Sequence, residues 1–278
     1  MNTATTIVLG NEKGGAGKST LAIHVLAGLM EQGARVAVID LDLRQRSLGR
    51  FVANRRRWLE ANGVVAPMPL EPDLGADGKA LALMPAAAQI ERFDAAFAEV
   101  TDCDFIVIDT PGGDTALSRH AHGRAHQIVT PMNDSFVDFD LLGHVDPVTL
   151  DLLQPSIYSE TVWEARKSRA AQGQGSIDWV VLTNRLGVPE ARNRKRLDER
   201  MAKLAKRVGF RIGPGLRDRV IYRELFPFGL TVADLSPQVR PVPVSLAHVA
   251  ARQELRNLML ALGHAHDDDR GGDLDQAA

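Results

Sequence analysis

A doubly wound α/β fold, with a mostly parallel twisted sheet between layers of helices, is the architecture this sequence predicts. Three observations carry it. Short apolar, β-branched runs recur along the chain, helical stretches fall between them, and several runs end in an acid or a glycine-rich turn. Continuous apolar runs suit strands buried on both faces, as in parallel sheets. Strands alternating with helices imply right-handed βαβ crossovers, and in such sheets the chemistry gathers at the carboxyl ends of the strands.

The elements follow in order. Residues 5–9 (Thr-Thr-Ile-Val-Leu) form the first strand, and an apolar-periodic helix spans about 18–31 after a glycine loop. The β-branched run 35–40 is the second strand, followed by a helix near 48–61. The Pro- and Gly-containing stretch 63–78 is an irregular excursion. A helix near 87–99 precedes the third strand, 105–109, and the fourth strand is 127–131. Helical spacing is expected over 137–153, a fifth strand over 179–183, and helices near 190–208 and 245–262. This predicts one domain over 1–263, with 264–278 an acidic tail expected to be disordered.

Composition narrows the class. With 45% hydrophobic and 24% charged residues, the chain has the balance of a soluble globular protein. Cys103 is the one cysteine, so a disulfide framework or Cys-x-x-Cys metal site is excluded within one chain. The beginning, Met1-Asn2-Thr3-Ala4-Thr5, lacks the basic and apolar regions of a signal peptide, and no apolar run is long enough to span a bilayer. A cytoplasmic protein is expected. Trp58, Trp163 and Trp179 read as packing residues, and the histidines lack a metal-ligand pattern.

The loop Glu12-Lys13-Gly14-Gly15-Ala16-Gly17-Lys18-Ser19-Thr20 lies between the first strand and the first helix, the setting in which a glycine loop becomes a phosphate cradle. Glycines allow successive N–H groups to converge on one anion, and the helix N-terminus adds positive potential. Gly14, Gly15, Ala16 and Gly17 are the expected cradle for ATP. Lys18 is placed to reach the β- and γ-phosphates and the Ser19 hydroxyl to ligate Mg²⁺, with Thr20 closing the motif. The loop departs from GxxxxGKS/T in having Glu12 at the first glycine position, followed by an additional cation, Lys13.

Two acidic strand ends complete the candidate site. Asp109 ends the third strand, and a carboxylate there suits Mg²⁺, often through water. Gly112 and Gly113 let the following backbone approach a γ-phosphate and withdraw when it is gone. Asp40 and Asp42, two residues apart on an extended segment, point the same way. One can support the Mg²⁺ shell while the other orients an attacking water. The plainer alternative is a pair of solvated turn acids.

Positive charge is concentrated between Arg192 and Arg223, where twelve Lys/Arg face three Asp/Glu. Leu197, Met201, Leu204 and Val208 form a helical apolar stripe, and Arg192, Arg196, Arg200, Lys203 and Arg207 a basic one beside it. With Arg194, Lys195 and Arg219, this surface is either a solvated helix face or a contact for nucleic acid or an acidic partner. Without a recognition motif, DNA contact would be phosphate-driven and non-specific.

The loop from Lys13 to Thr20, the Asp40-x-Asp42 segment and the block 105–112 together resemble the ParA/MinD family of deviant-Walker-A ATPases, over about residues 5–260. The resemblance implies an ATP-dependent homodimer with weak ATPase activity, in which Lys13 reaches the phosphates held by the other subunit. It also implies that Asp42 positions the hydrolytic water, that Asp109 is the Walker B acid, that Gly14 lies where two backbones approach, and that Asn184 contacts adenine. ADP lacks the γ-phosphate that favours assembly, so dimerisation is linked to ATP. A dimer would double the basic patch and make DNA binding ATP-dependent. Similarity to the division-positioning members implies a ParB-type protein and FtsZ as partners, FtsZ inhibition, and association with the nucleoid. Family members usually have Asp-x-Asp-Pro-Gln, whereas Leu43-Arg44 precede Gln45 here.

A ParA-type partition ATPase would share every nucleotide motif. A membrane-bound relative would need a basic amphipathic C-terminal helix, whereas Asp267-Asp268-Asp269 follow His266 here. Iron–sulfur carriers would need paired cysteines, and a small-molecule P-loop ligase would leave the basic helix without a role.

Overall fold

The structure, a computed structural model, describes residues 4–265 apart from 76–77, 134–135, 147–151, 185–190, 218 and 241–242, and gives backbone alone at 136–138, 145 and 191–197. The elements are β1 (Thr5–Leu9), α1 (Lys18–Glu31), β2 (Val36–Asp40), α2 (Ser47–Asn62), α3 (Gly78–Leu83), α4 (Ala86–Glu99), β3 (Phe105–Asp109), α5 (Ala116–Arg124) and β4 (Gln127–Asn133). They continue with β5 (Gly143–Val145), β6 (Leu152–Pro155), α6 (Ile157–Ala171), β7 (Asp178–Asn184), α7 (Ala191–Leu204), β8 (Arg211–Pro214), α8 (Ile221–Glu224) and α9 (Leu246–Leu262). Six strands form one sheet in the order β2-β3-β1-β4-β7-β8, every pairing parallel. This is the doubly wound sheet that the sequence predicts.

Alternation along the strands divides the core into two layers. Ile7, Leu9, Val38, Val107, Val129 and Val180 pack under α1, α2 and α9. Val8, Ile39, Ile106, Ile108, Ile128 and Val181 pack under α4, α5, α6 and α7. On α1, Leu21, Leu26 and Leu29 are 1% exposed or less, and each such burial is worth roughly 2 kcal/mol. Within the excursion, the segment about Leu70 lies along the sheet edge. Leu70 pairs with β2, donating to the Val36 carbonyl at 2.9 Å and accepting from the Val38 amide at 2.8 Å, which covers an edge that would otherwise be open.

Among the described residues, the helix expected over 137–153 is not formed. Residues 136–141 make a 3₁₀ turn, and β5 and β6 pair as an antiparallel ribbon. Gly143 suits that ribbon, since a Cβ there would stand 3.1 Å from the Gln154 carbonyl and press on Leu152. The helix begins instead at Ile157, where Ser156 caps it by accepting the Ser159 amide. At the C-terminal end, Gly263 closes α9 in the left-handed conformation. His264, assigned to the tail from sequence, stacks edge-on against Phe105, and its Nε2 contacts the Gln127 carboxamide oxygen at 3.1 Å. Among the described residues no helix is long and apolar enough to cross a membrane.

Candidate nucleotide site and basic helix

β1 lies between β3 and β4, so the loop that leaves it rises in the middle of the sheet's carboxyl edge. Gly15 and Gly17 have φ of 77° and 93°, conformations that side chains resist, and Gly17 starts α1. Asn184, the last residue of β7, donates from Nδ2 to the Ala16 carbonyl at 3.2 Å and fills the space a Cβ on Gly17 would need. The carboxamide expected at adenine therefore braces the loop from beneath. Gly14 and Gly15 are exposed and Ala16 is buried.

Lys18 is 7% exposed and its ammonium donates to the Lys13 carbonyl at 3.0 Å. Burial pulls its pKa down, while Asp109 and Asp42 pull it up. Asp109 is fully buried; the Ser19 hydroxyl lies close enough to act on its carboxylate, but neither oxygen has a well-formed hydrogen bond among the described residues. Burial and the neighbouring Asp40 push its pKa up to about 8, against the nearby Ser19 hydroxyl and Lys18 ammonium. An orphaned buried carboxylate beside a hydroxyl and a lysine is a donor set that fits a hard divalent cation. The residues present therefore suit Mg²⁺ at Asp109 and Ser19.

Asp40 lies opposite Asp109 in the β2–β3 register. Its two oxygens accept the amides of Asp42 at 3.0 Å and Gly49 at 2.9 Å, which anchors the backbone of the turn. Burial raises its pKa to about 6. Asp42 is half-buried, and its Oδ1 accepts the Gln45 amide at 3.0 Å, shaping the turn that leads to α2. Gln45 is exposed and contributes that amide.

Sequence reasoning missed Asn11. It is 3% exposed, donates from Nδ2 to the Pro131 carbonyl at 2.5 Å and accepts the Lys13 amide on Oδ1 at 2.6 Å. The available signal was a polar residue directly after an apolar strand. Glu12, at the first glycine position, has its pKa raised by burial and by Asp114.

The basic surface is only partly as expected. Met201 and Leu204 are buried, so the apolar stripe docks α7, and Lys203 is exposed. Arg192, Arg194, Lys195 and Arg196 lie on α7, but their side chains are outside the described residues. The Arg200 guanidinium sits 4.9 Å from the centre of the Phe139 ring. Arg219 departs from expectation: Glu254 engages it at 2.6 Å, and its side chain is 23% exposed. Arg217 also faces Glu254, at 3.6 Å, and Arg211 pairs with Asp178 at 2.6 Å. Arg217 and Arg219 thus share one carboxylate, and Arg211 on β8 has its own.

A central parallel strand leading into a deviant glycine loop, with an orphaned acid on the adjoining strand, defines a P-loop nucleotide-binding protein of the ParA/MinD class. The family described as ATPase MipZ matches residues 5–265, and the chain belongs to it. It is 28% identical over 143 residues to the chromosome-partitioning ATPase Soj of Thermus thermophilus, an alignment covering 47% of this chain and 55% of Soj. It is also 28% identical over 120 residues to an iron–sulfur cluster carrier protein of Deinococcus radiodurans, covering 38% of this chain and 33% of that protein. The chain thus spans about half or less of the curated relatives it matches. Its fold resembles a Cyanothece McdA–ATP complex, with a TM-score of 0.61 at 18% identity over 96% of this chain and 99% of the other. It also resembles the septum site-determining protein MinD with Mg-ADP from Pyrococcus horikoshii, with a TM-score of 0.55 at 15% identity over 91% and 94%.

Proposed function

We propose that this chain is an ATP-driven dimerisation switch with weak ATPase activity, whose ATP-bound dimer regulates placement of the division site. The amides of the Gly14–Lys18 loop and the Lys18 ammonium bind the phosphates. Ser19 and Asp109 hold Mg²⁺, which supplies charge neutralisation at the β- and γ-phosphates. Asp42 orients the attacking water. Lys13 reaches the phosphates bound by a second copy, so assembly responds to the γ-phosphate that ADP lacks.

The observation that carries this reading is Gly14. A Cβ there would meet nothing within 4 Å of its own chain, and its φ lies outside the left-handed region. Neither space nor conformation within one chain requires glycine, so the close approach of a second chain explains it better. The dimer would bring two basic helices together and bind DNA non-specifically at phosphates, giving nucleoid association. FtsZ inhibition and recruitment by a ParB-type protein follow from the family reading. The partial match to Soj favours a second reading, a partition ATPase. Following FtsZ polymerisation with and without the protein separates the two.

The experiment is DNA binding with ATP, ADP and no nucleotide, on wild type and Asp42→Ala, with oligomeric state recorded. Wild type should dimerise and bind DNA with ATP only. Asp42→Ala should bind ATP, stop hydrolysing and accumulate as a DNA-bound dimer. Normal turnover by that variant would remove Asp42 from its role.

A further inference from the structure

Lys13 has both of its backbone polar groups held. Its amide donates to Asn11 Oδ1 at 2.6 Å, and its carbonyl accepts from the Lys18 ammonium at 3.0 Å. Asn11 is itself pinned, since its Nδ2 donates to the Pro131 carbonyl at 2.5 Å, near the carboxyl end of the neighbouring strand β4. At 3% exposure the carboxamide is shielded from competing water. One side chain thus joins the loop to the rigid sheet edge through an acceptor and a donor at once, a combination only a carboxamide of this length supplies there.

A long cation that must reach another chain gains from a fixed starting point, because less freedom remains to be lost when contact forms. We propose that Asn11 is a positioning residue for Lys13, fixing the backbone from which that lysine reaches nucleotide bound by a second copy of the chain. This rests on the reading above that Lys13 acts across an interface. Asn11 itself touches no phosphate in this scheme. Its removal should therefore separate assembly from nucleotide binding.

The test uses the full chain as wild type, Asn11→Ala and Asn11→Asp, with thermal unfolding followed to establish that each folds. Hydrogen exchange reports the Lys13 amide, a fluorescent ADP analogue reports nucleotide affinity, and sedimentation with a slowly hydrolysed ATP analogue reports dimerisation. In Asn11→Ala the Lys13 amide should exchange about tenfold faster and dimerisation should weaken about tenfold, with ADP affinity within about threefold of wild type. Asn11→Asp keeps the acceptor for the Lys13 amide but turns an oxygen toward the Pro131 carbonyl, so it should restore neither the protection nor the dimerisation in full. Asn11→Leu, similar in shape but without donor or acceptor, carries the same comparison where Asn11→Ala does not fold. Unchanged exchange at Lys13, or equal loss of ADP binding and dimerisation, overturns the proposal. A wild type that stays monomeric with ATP overturns the switch itself and the interface role of Asn11 with it. Failure of the Asn11 role alone leaves wild-type assembly intact.

Discussion

Gly112 packs against Gly14: a Cβ on Gly112 would stand 3.2 Å from the Gly14 amide nitrogen and 3.5 Å from the Lys13 carbonyl carbon. The turn that follows the buried Asp109 is therefore in contact with the loop that carries the additional lysine. A γ-phosphate drawing in the Gly112 backbone would be felt directly at Lys13 and Gly14, with no intermediary side chain. The contact is backbone against backbone, so it has little room to yield.

Gly112→Ala should accordingly push the two loops apart by a few tenths of an ångström. The expected result is nucleotide affinity within about threefold of wild type and ATP-dependent dimerisation weakened about tenfold, near 1.4 kcal/mol. Titration with a fluorescent nucleotide and sedimentation with a slowly hydrolysed ATP analogue measure the two separately. Unaltered assembly would show that the turn and the loop do not communicate.

Gly14 and Gly17 should respond in opposite ways. Gly14→Val meets open space and should leave monomer stability within about 0.5 kcal/mol. It should nevertheless yield a nucleotide-bound monomer by light scattering, and Lys13→Ala should likewise impair dimerisation more than ADP binding. Gly17→Ala places a side chain at a φ of 93° and against Asn184. It should cost on the order of 1–3 kcal/mol and weaken nucleotide binding itself. A dimer formed normally by Gly14→Val would contradict the interface reading.

His24 gives the fold an acid-sensitive component. It is 2% exposed on α1, with Nδ1 2.7 Å from the Thr20 carbonyl and its ring edge-on to Tyr222. Burial lowers its pKa to about 4, from 6.5. The unfolded chain therefore binds the proton first as pH falls. The stabilisation is fully present above pH 6.5 and declines toward pH 4, by up to roughly 3 kcal/mol. Urea unfolding at pH 7 and pH 5 should show this loss in wild type and a smaller one in His24→Gln. Equal losses in both would mean His24 does not govern that window.

The sheet and the nucleotide loop were legible because their signals are local: continuous apolar runs, glycines and strand-end acids. What escaped depends on tertiary context. β8 is an edge strand whose four residues include Gly213 and Pro214, a composition that argues against a strand. The region 137–153 carries enough apolar residues to suggest a helix, but Gly143 allows ribbon pairing, which spacing does not reveal. Arg55 stands in a run of three arginines with Arg56 and Arg57, a pattern that by itself does not mark one of them as internal. Yet it is 1% exposed and joins the Pro67 and Gly229 carbonyls to Asp234, tying the edge excursion to the loop before α9. At the site, Asp40 was recognised as a strand-end acid, but the backbone amides that occupy it belong to a turn the sequence does not display. The charge total around Arg219 hid Glu254, which lies 35 residues away in the chain.

That last pair separates stability from DNA contact. Burial pushes the Glu254 carboxyl up, but hydrogen bonds from Arg219, Tyr222 and the Arg217 amide outweigh it and hold the group below its usual range. Arg219→Ala would leave Glu254 with fewer donors, at an expected cost of about 1 kcal/mol, read as a lower unfolding midpoint. Its guanidinium is already engaged, so the salt dependence of DNA binding should hardly change. Arg207 is exposed in the turn that continues α7, and Arg207→Ala should do the reverse. Stability should hold while the slope of log affinity against log salt falls by about 0.9 for each phosphate contact removed. Both variants are to be measured on the ATP-bound form with DNA of mixed sequence, across moderate salt. A salt slope reduced as much by Arg219→Ala as by Arg207→Ala would return Arg219 to the DNA surface and make its pairing with Glu254 incidental.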